Sequence, residues 1–172
     1  MRILLAVCFL ANPLFAQTLD PRYEPVGSFE GAFGEAAIVL NSLFDLEKQR
    51  SMVRIRDASG FETISISART IGGDGKPTNP SVSFTIGPIG AGGAGVRSDV
   101  YFGDKSGGFV TDNDIGGRVT LADFSRDGTK LSFSIDATLQ PVKRGDDGFV
   151  IDDARTSQQF SGTFSGELTV ID

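Results

Sequence analysis

Residues 51–57 and 61–68, SMVRIRD and FETISISA, alternate apolar and polar side chains on either side of Ala58-Ser59-Gly60. A period of two sends successive side chains to opposite faces of a pleated strand, and a short Gly-bearing connection lets two strands fold back on each other. The spacing predicts a hairpin in which Val53 and Ile55 face the same core as Ile64 and Ile66. This alternation constrains the chain more than any other feature, because it recurs nearly to the end.

Phe29 and Phe33 flank small residues in SFEGAF, and Phe33-Gly34 makes a turn into AAIVL. Further short strands are expected at VSFTI (82–86), DVYFG (99–103) and GFVTD (108–112). RVTLADF (118–124) and KLSFSIDATL (130–139) are joined by residues 125–129, where Asp127-Gly128 is a strong turn signal. QQFSGTFSGELTVI (158–171) is a long alternating run, and GGDGKPTNP (72–80) carries the Gly and Pro punctuation of a loop. Residues 41–50, NSLFDLEKQR, leave two options. Ser42 and Asp45 have capping-box spacing, predicting one short helix over 42–49; the alternative is a strand with a polar loop. Many short strands with Gly-rich turns and no fixed-period repeat indicate an all-β fold, an antiparallel β-sandwich with a small β-barrel as the alternative.

The first sixteen residues, MRILLAVCFLANPLFA, have the form of a signal peptide, with Arg2 before an apolar core and Ala16 ahead of the expected cut at Gln17. The only cysteine, Cys8, lies inside that apolar core and is expected to leave with it. Residues 17–25 then form a lead-in held extended by Pro21 and Pro25, and 26–172 a single domain. Export without disulfides points to a bacterial periplasmic or secreted protein. No apolar run approaches the ~20 residues of a membrane-spanning helix. The net charge of −6 becomes one unit more negative without Arg2, which argues against nucleic acid as a partner.

Composition also restricts chemistry. The chain has no histidine, which removes the usual neutral-pH base, the Ser-His-Asp triad and the commonest zinc ligand. Neither Ser-x-x-Lys nor Gly-x-Ser-x-Gly occurs, and Lys105-Ser106-Gly107 alone matches only one strand motif of the penicillin-binding enzymes. With no Trp and only Tyr23 and Tyr101, a glycosidase or carbohydrate-binding module is disfavoured. The absent residue types point away from an enzyme.

Three constellations remain. Thr111-Asp112-Asn113-Asp114-Ile115-Gly116-Gly117 begins like a calcium loop, and Asp123 occupies its twelfth position, so Asp112, Asp114 and Asp123 are the candidate metal ligands. The bland alternative is an exposed polar turn. A second acidic stretch, Arg144 to Asp153, either meets the first or forms an ordinary solvated turn; it opens with an integrin-type Arg144-Gly145-Asp146. Gly90, Gly92 and Gly95 spell G-x-G-x-x-G, but the following VRSDVYFGD alternates as a strand, so a loop between strands is expected instead of a dinucleotide site. The phenylalanines, among them Phe84, Phe102, Phe109, Phe124, Phe133, Phe160 and Phe164, are expected in the core, or else around a cavity for an apolar ligand.

GRVTLADFSRDGTKLSFSIDATL followed by QQFSGTFSGELTVI resembles the closing strands of uncharacterised secreted bacterial β-sandwich domains, which end in a similar hairpin and an SGTFSG-like strand. The resemblance implies the fold and carries no catalytic or ligand residues. The expected function is that of an exported, non-enzymatic accessory, envelope or protein-interaction module. The alternative is a binder of calcium through the acidic loops, or of an apolar ligand in a Phe-lined cavity.

Overall fold

The computed structural model describes residues 18–58, 60–89 and 98–170. The leader, Cys8 and the Gly90, Gly92, Gly95 pattern lie outside the described residues. The strands are β1 (Tyr23–Phe33), β2 (Ala36–Asp45), β3 (Arg50–Ser51), β4 (Val53–Ala58), β5 (Phe61–Ile71), β6 (Pro77–Ile89) and β7 (Ser98–Asp104). They continue as β8 (Gly107–Val110), β9 (Arg118–Asp127), β10 (Lys130–Gly145), β11 (Gly148–Ile151), β12 (Gln158–Glu167) and β13 (Thr169–Val170). Pairing is antiparallel throughout except for the short β13–β4 contact.

The strands form two facing layers. One holds β9, β10, β12 and β1, and the other β4, β5, β6 and β7. Phe84 on β6 shows the stacking directly: its ring lies 5.4 Å from Phe29, 5.7 Å from Phe133 and 6.1 Å from Phe160, on three strands that β6 does not pair with. The layers are continuous at both edges, through β7–β8–β10 on one side and β1–β2–β5 on the other, where Asn41 sits opposite Arg69. Hydrogen bonding therefore runs in a ring around an all-β sandwich.

The predicted hairpin forms as its alternation requires. Val53 pairs with Ile66 and Ile55 with Ile64, and all four are buried. Phe29, Phe84, Phe133, Phe160 and Phe164 are fully buried, with Phe109 and Phe124 packed against the same core. Each fully buried side chain of this size contributes ~1.5–3 kcal/mol from the area removed from water. Asp127 and Lys130 pair across Gly128-Thr129, so the predicted turn is a tight two-residue hairpin.

Residues 42–49 do not form the short helix. The strand alternative holds, because Ser42 and Leu43 are buried in β2 and the Ser42 hydroxyl donates to the Ser67 carbonyl at 2.7 Å. Asp45 ends the strand, its Oδ1 accepting from the backbone of Glu47 (3.1 Å) and Lys48 (3.0 Å) to turn the chain into β3. The loop expected over 72–80 is shorter, since Pro77 and Thr78 already pair with Ile71 and Thr70. The stretch 144–153 is not all turn: β11 lies within it, joined to β10 through Asp146-Asp147.

Candidate functional site

The acidic candidates lie on two elements, Asp112 and Asp114 at a short turn and Asp123 on β9. The Asp112 carboxylate caps a short 3-10 turn over Asn113–Ile115, accepting from the Asp114 backbone at 2.9 Å, and Gly116 closes the turn with φ of 88°. Asp123 lies on β9 with φ of 53°, where the β9–β10 register shifts between Ser132 and Ser134. It occupies the left-handed position of a β-bulge. All three aspartates are exposed. Among the described residues no group of three or more acidic side chains converges as a metal site would require. In the second acidic stretch Asp152 pairs with Arg155 at 2.6 Å, a bond that holds its carboxyl below the usual carboxylate range. The core phenylalanines touch one another, with Phe29 and Phe160 stacked at 4.9 Å and Phe133 and Phe164 at 5.3 Å.

The surface feature with the most chemistry is on the outer face of the β4–β7 layer. Alternation that buries Val53, Ile64, Ile66, Val82, Phe84 and Val100 sends Arg54, Ser65, Ser67, Arg69, Ser81, Ser83 and Tyr101 outward. Register then aligns them across the strands. Ser67 faces Ser83, Ser83 faces Tyr101, Arg54 faces Ser65 and Arg69 faces Ser81. The Ser67 and Ser83 hydroxyls are 3.2 Å apart. Short serines in the middle of the face, with long side chains around them, leave a recess.

Two clefts result, and they share Arg69. The larger, about 730 Å³, lies between Arg69, Ser81, Ser83, Tyr101, Lys105, Arg144 and Phe149. The smaller, about 400 Å³, is lined by Tyr23, Lys48, Arg50, Arg54, Ser65, Ser67 and Arg69. The larger cleft ends on an aromatic wall, where the Tyr101 and Phe149 ring centroids are 5.4 Å apart and the Arg144 guanidinium lies 5.9 Å from the Phe149 ring.

Both clefts are electropositive. Among the described residues, no carboxylate lies within 4.0 Å of the charged nitrogens of Lys48, Arg50, Arg54, Arg69, Lys105 or Arg144. The two acids that line the clefts are engaged elsewhere. Asp45 is gripped by Arg22, whose guanidinium bonds hold its carboxyl down at about 2. Asp104 accepts from the hydroxyl and backbone of Ser106, which also lowers it. Burial raises the Tyr101 phenol, which donates to the Asp104 carbonyl. The Nε of Arg54 is buried without a hydrogen-bond partner.

The structure thus gives roles to residues that the sequence motifs placed differently. Ser106 of Lys105-Ser106-Gly107 is held by the β7–β8 turn, and Arg144 of Arg144-Gly145-Asp146 lies at the mouth of the larger cleft. Sequence reasoning passed over Arg54, Ser65, Ser67, Arg69 and Ser83. Their signal was in the polar half of the alternation, where β5 reads Ser, Ser, Arg at every second position. Comparison with protein-family models, with curated proteins and with solved structures finds no match to the chain.

Proposed function

We propose that the chain is an exported, non-enzymatic binding module that works through the outer face of the β4–β7 layer. The observation that carries this reading is the gathering of arginines without carboxylate partners around a floor of serines, on a chain whose net charge is −6. Charge left unpaired in a recess is a recognition feature, because a partner supplies the counter-charge that the fold withholds. The residues lining the clefts support binding over bond-making. Among the described residues, Ser67 and Ser83 bond to each other and Ser81 donates to the Gly103 carbonyl, so these three hydroxyls face no general base; Ser106 donates to the Asp104 carboxylate, whose lowered carboxyl makes it a weak one. The form of residues 1–16 and the absence of cysteine after them support an exported role at the bacterial envelope.

The test has two arms. Protein recovered from the exported fraction of cells expressing the full chain is expected to begin at Gln17; a product confined to the cytoplasm with its leader intact overturns export. Isolated bacterial envelopes are expected to retain the wild-type protein and to release Arg69→Glu. Equal retention of the two excludes the β4–β7 face as the working surface.

A further inference from the structure

The geometry points to an acidic polysaccharide as the ligand of this face, with its carboxylate or sulfate groups on Arg54, Arg69 and Arg144 and its hydroxyls over the serine floor. The assignment rests on the binding-face reading proposed above.

Charge is the first argument. Arg54 lies on β4, Arg69 on β5, and Arg144 beyond β7, so the cations recur across the sheet instead of clustering at one point. From β4 to β7 is three strand spacings, roughly 14 Å. A ligand that satisfies all three must carry its negative charges at intervals along an extended chain. The guanidinium fork suits carboxylate and sulfate, which accept two parallel hydrogen bonds.

The surface between the charges is the second argument. Ser65, Ser67, Ser81 and Ser83 are half-buried, and a hydroxyl both donates and accepts, as sugar hydroxyls do. Tyr101 and Phe149 line one cleft, packed on each other, and Tyr23 lines the other. The chain has only two tyrosines, and each contributes to one of these clefts. Scarcity of aromatics in the composition disfavours carbohydrate, whereas the placement of both tyrosines along these clefts favours it.

Other acidic partners fit less well. A peptide added as a further strand has no edge to join here, since β5 and β6 are hydrogen-bonded on both sides, and an acidic peptide held by its side chains alone is the case that poly-glutamate tests. A flat anionic membrane needs protruding cations, whereas Arg54 and Arg69 line a recess and are half-buried. The overall negative charge of the protein disfavours indiscriminate capture of polyanions, so affinity has to come from the cleft itself.

Calorimetric titration of the protein purified from cells expressing the full chain tests the assignment. The probes are galacturonate hexamers, sulfated heparin oligosaccharides, neutral maltohexaose, poly-glutamate and phosphatidylglycerol vesicles. Binding is expected for at least one acidic saccharide, at least tenfold tighter than for maltohexaose, poly-glutamate or vesicles, and weakened by salt. Arg69→Ala and Arg54→Gln are each expected to weaken it at least tenfold, while Arg118→Ala, on the other layer and with no carboxylate partner among the described residues, leaves it unchanged. Circular dichroism checks that each variant is folded, and Ser83→Val serves as a second, uncharged probe of the floor, expected to weaken binding severalfold. Failure of both acidic saccharides, equal binding of poly-glutamate or vesicles, or equal loss in Arg118→Ala overturns the saccharide assignment. If envelope retention still depends on Arg69 in that event, the binding face stands and only the ligand class falls.

Discussion

Arg22 and Asp45 meet as a two-pronged pair, with Nε 2.9 Å from Oδ1 and Nη2 2.7 Å from Oδ2. The contact ties the residue ahead of β1 to the end of β2. The same carboxylate caps the turn into β3 through the backbone of Glu47 and Lys48. One side chain therefore caps the end of β2 and keeps Arg22 in place, and its charge is drawn first to Arg22 and only then to Lys48 of the neighbouring cleft.

The Asp45 carboxyl is held at about 2, below its ordinary 3.8, chiefly by the Arg22 hydrogen bonds. A depressed folded value stabilises the fold fully above the unfolded value and is lost as pH falls from 3.8 towards 2. Asp45→Asn is expected to melt a few degrees below wild type at pH 7, with the gap closing between pH 4 and pH 2. Thermal melts across that range check this, and a gap independent of pH excludes the ionised pair as its source.

Phe84 stands at the centre of the core, against Phe29, Phe133 and Phe160. Phe84→Ala opens a cavity among rings that cannot close over it, a loss of about 3–5 kcal/mol. The melting temperature should fall on the order of 10 °C for a domain of this size. Phe84→Leu should lose clearly less. Near-identical stability of Phe84→Ala and wild type would mean the interior is not packed as described.

Gly31 on β1 lies opposite Gly162 on β12, and a Cβ on Gly31 would come within 2.0 Å of the Ser161 carbonyl oxygen. Backbone offers no rotamer to escape through, so the two strands must part. Gly31→Ala should lose cooperative unfolding or fail to accumulate as folded protein. Gly73→Ala, where an added Cβ meets nothing within 4 Å, is the control expected to behave as wild type. Circular dichroism melts of both variants decide the matter, and an undisturbed Gly31→Ala would refute the close β1–β12 approach.

Arg155 joins two strands from outside the ladder: its Nη2 donates to the Val142 carbonyl at 2.6 Å and the Gly108 carbonyl at 3.2 Å, and the guanidinium lies 4.8 Å from the Phe109 ring. A lysine ammonium cannot reproduce the planar fork that reaches both carbonyls and Asp152 together. Arg155→Lys should lose about 2 kcal/mol, read from denaturant unfolding. Hydrogen exchange should quicken first in β8, and uniform protection across β8 and β10 would count against this bridging role.

Much of the fold was legible because alternation is a local signal. Val53, Ile55, Ile64 and Ile66 announce both the strand period and the buried face, and Asp127-Gly128 announces the reversal. The segment around Asp45 was ambiguous for a local reason as well. Ser42 and Asp45 have helix-capping spacing, and only the cross-strand bond from Ser42 to Ser67 and the pair with Arg22 favour the strand. Asp112, Asp114 and Asp123 have loop spacing in the sequence, but spacing along the chain does not by itself bring side chains to one point, and among the described residues no group of three or more acids is found.

Sequence alone determined that the chain is all-β, which side chains enter the core, and which residue types are absent, since each depends on residue type and on a period of two. Tertiary structure decided that Arg54, Ser67, Arg69, Ser83, Tyr101 and Arg144 share one face. These residues lie on five different strands, and the register between strands is set by the packing of the buried side. The outward side chains meet where the core puts them, so the clefts become visible only once the buried phenylalanines have fixed how the layers align.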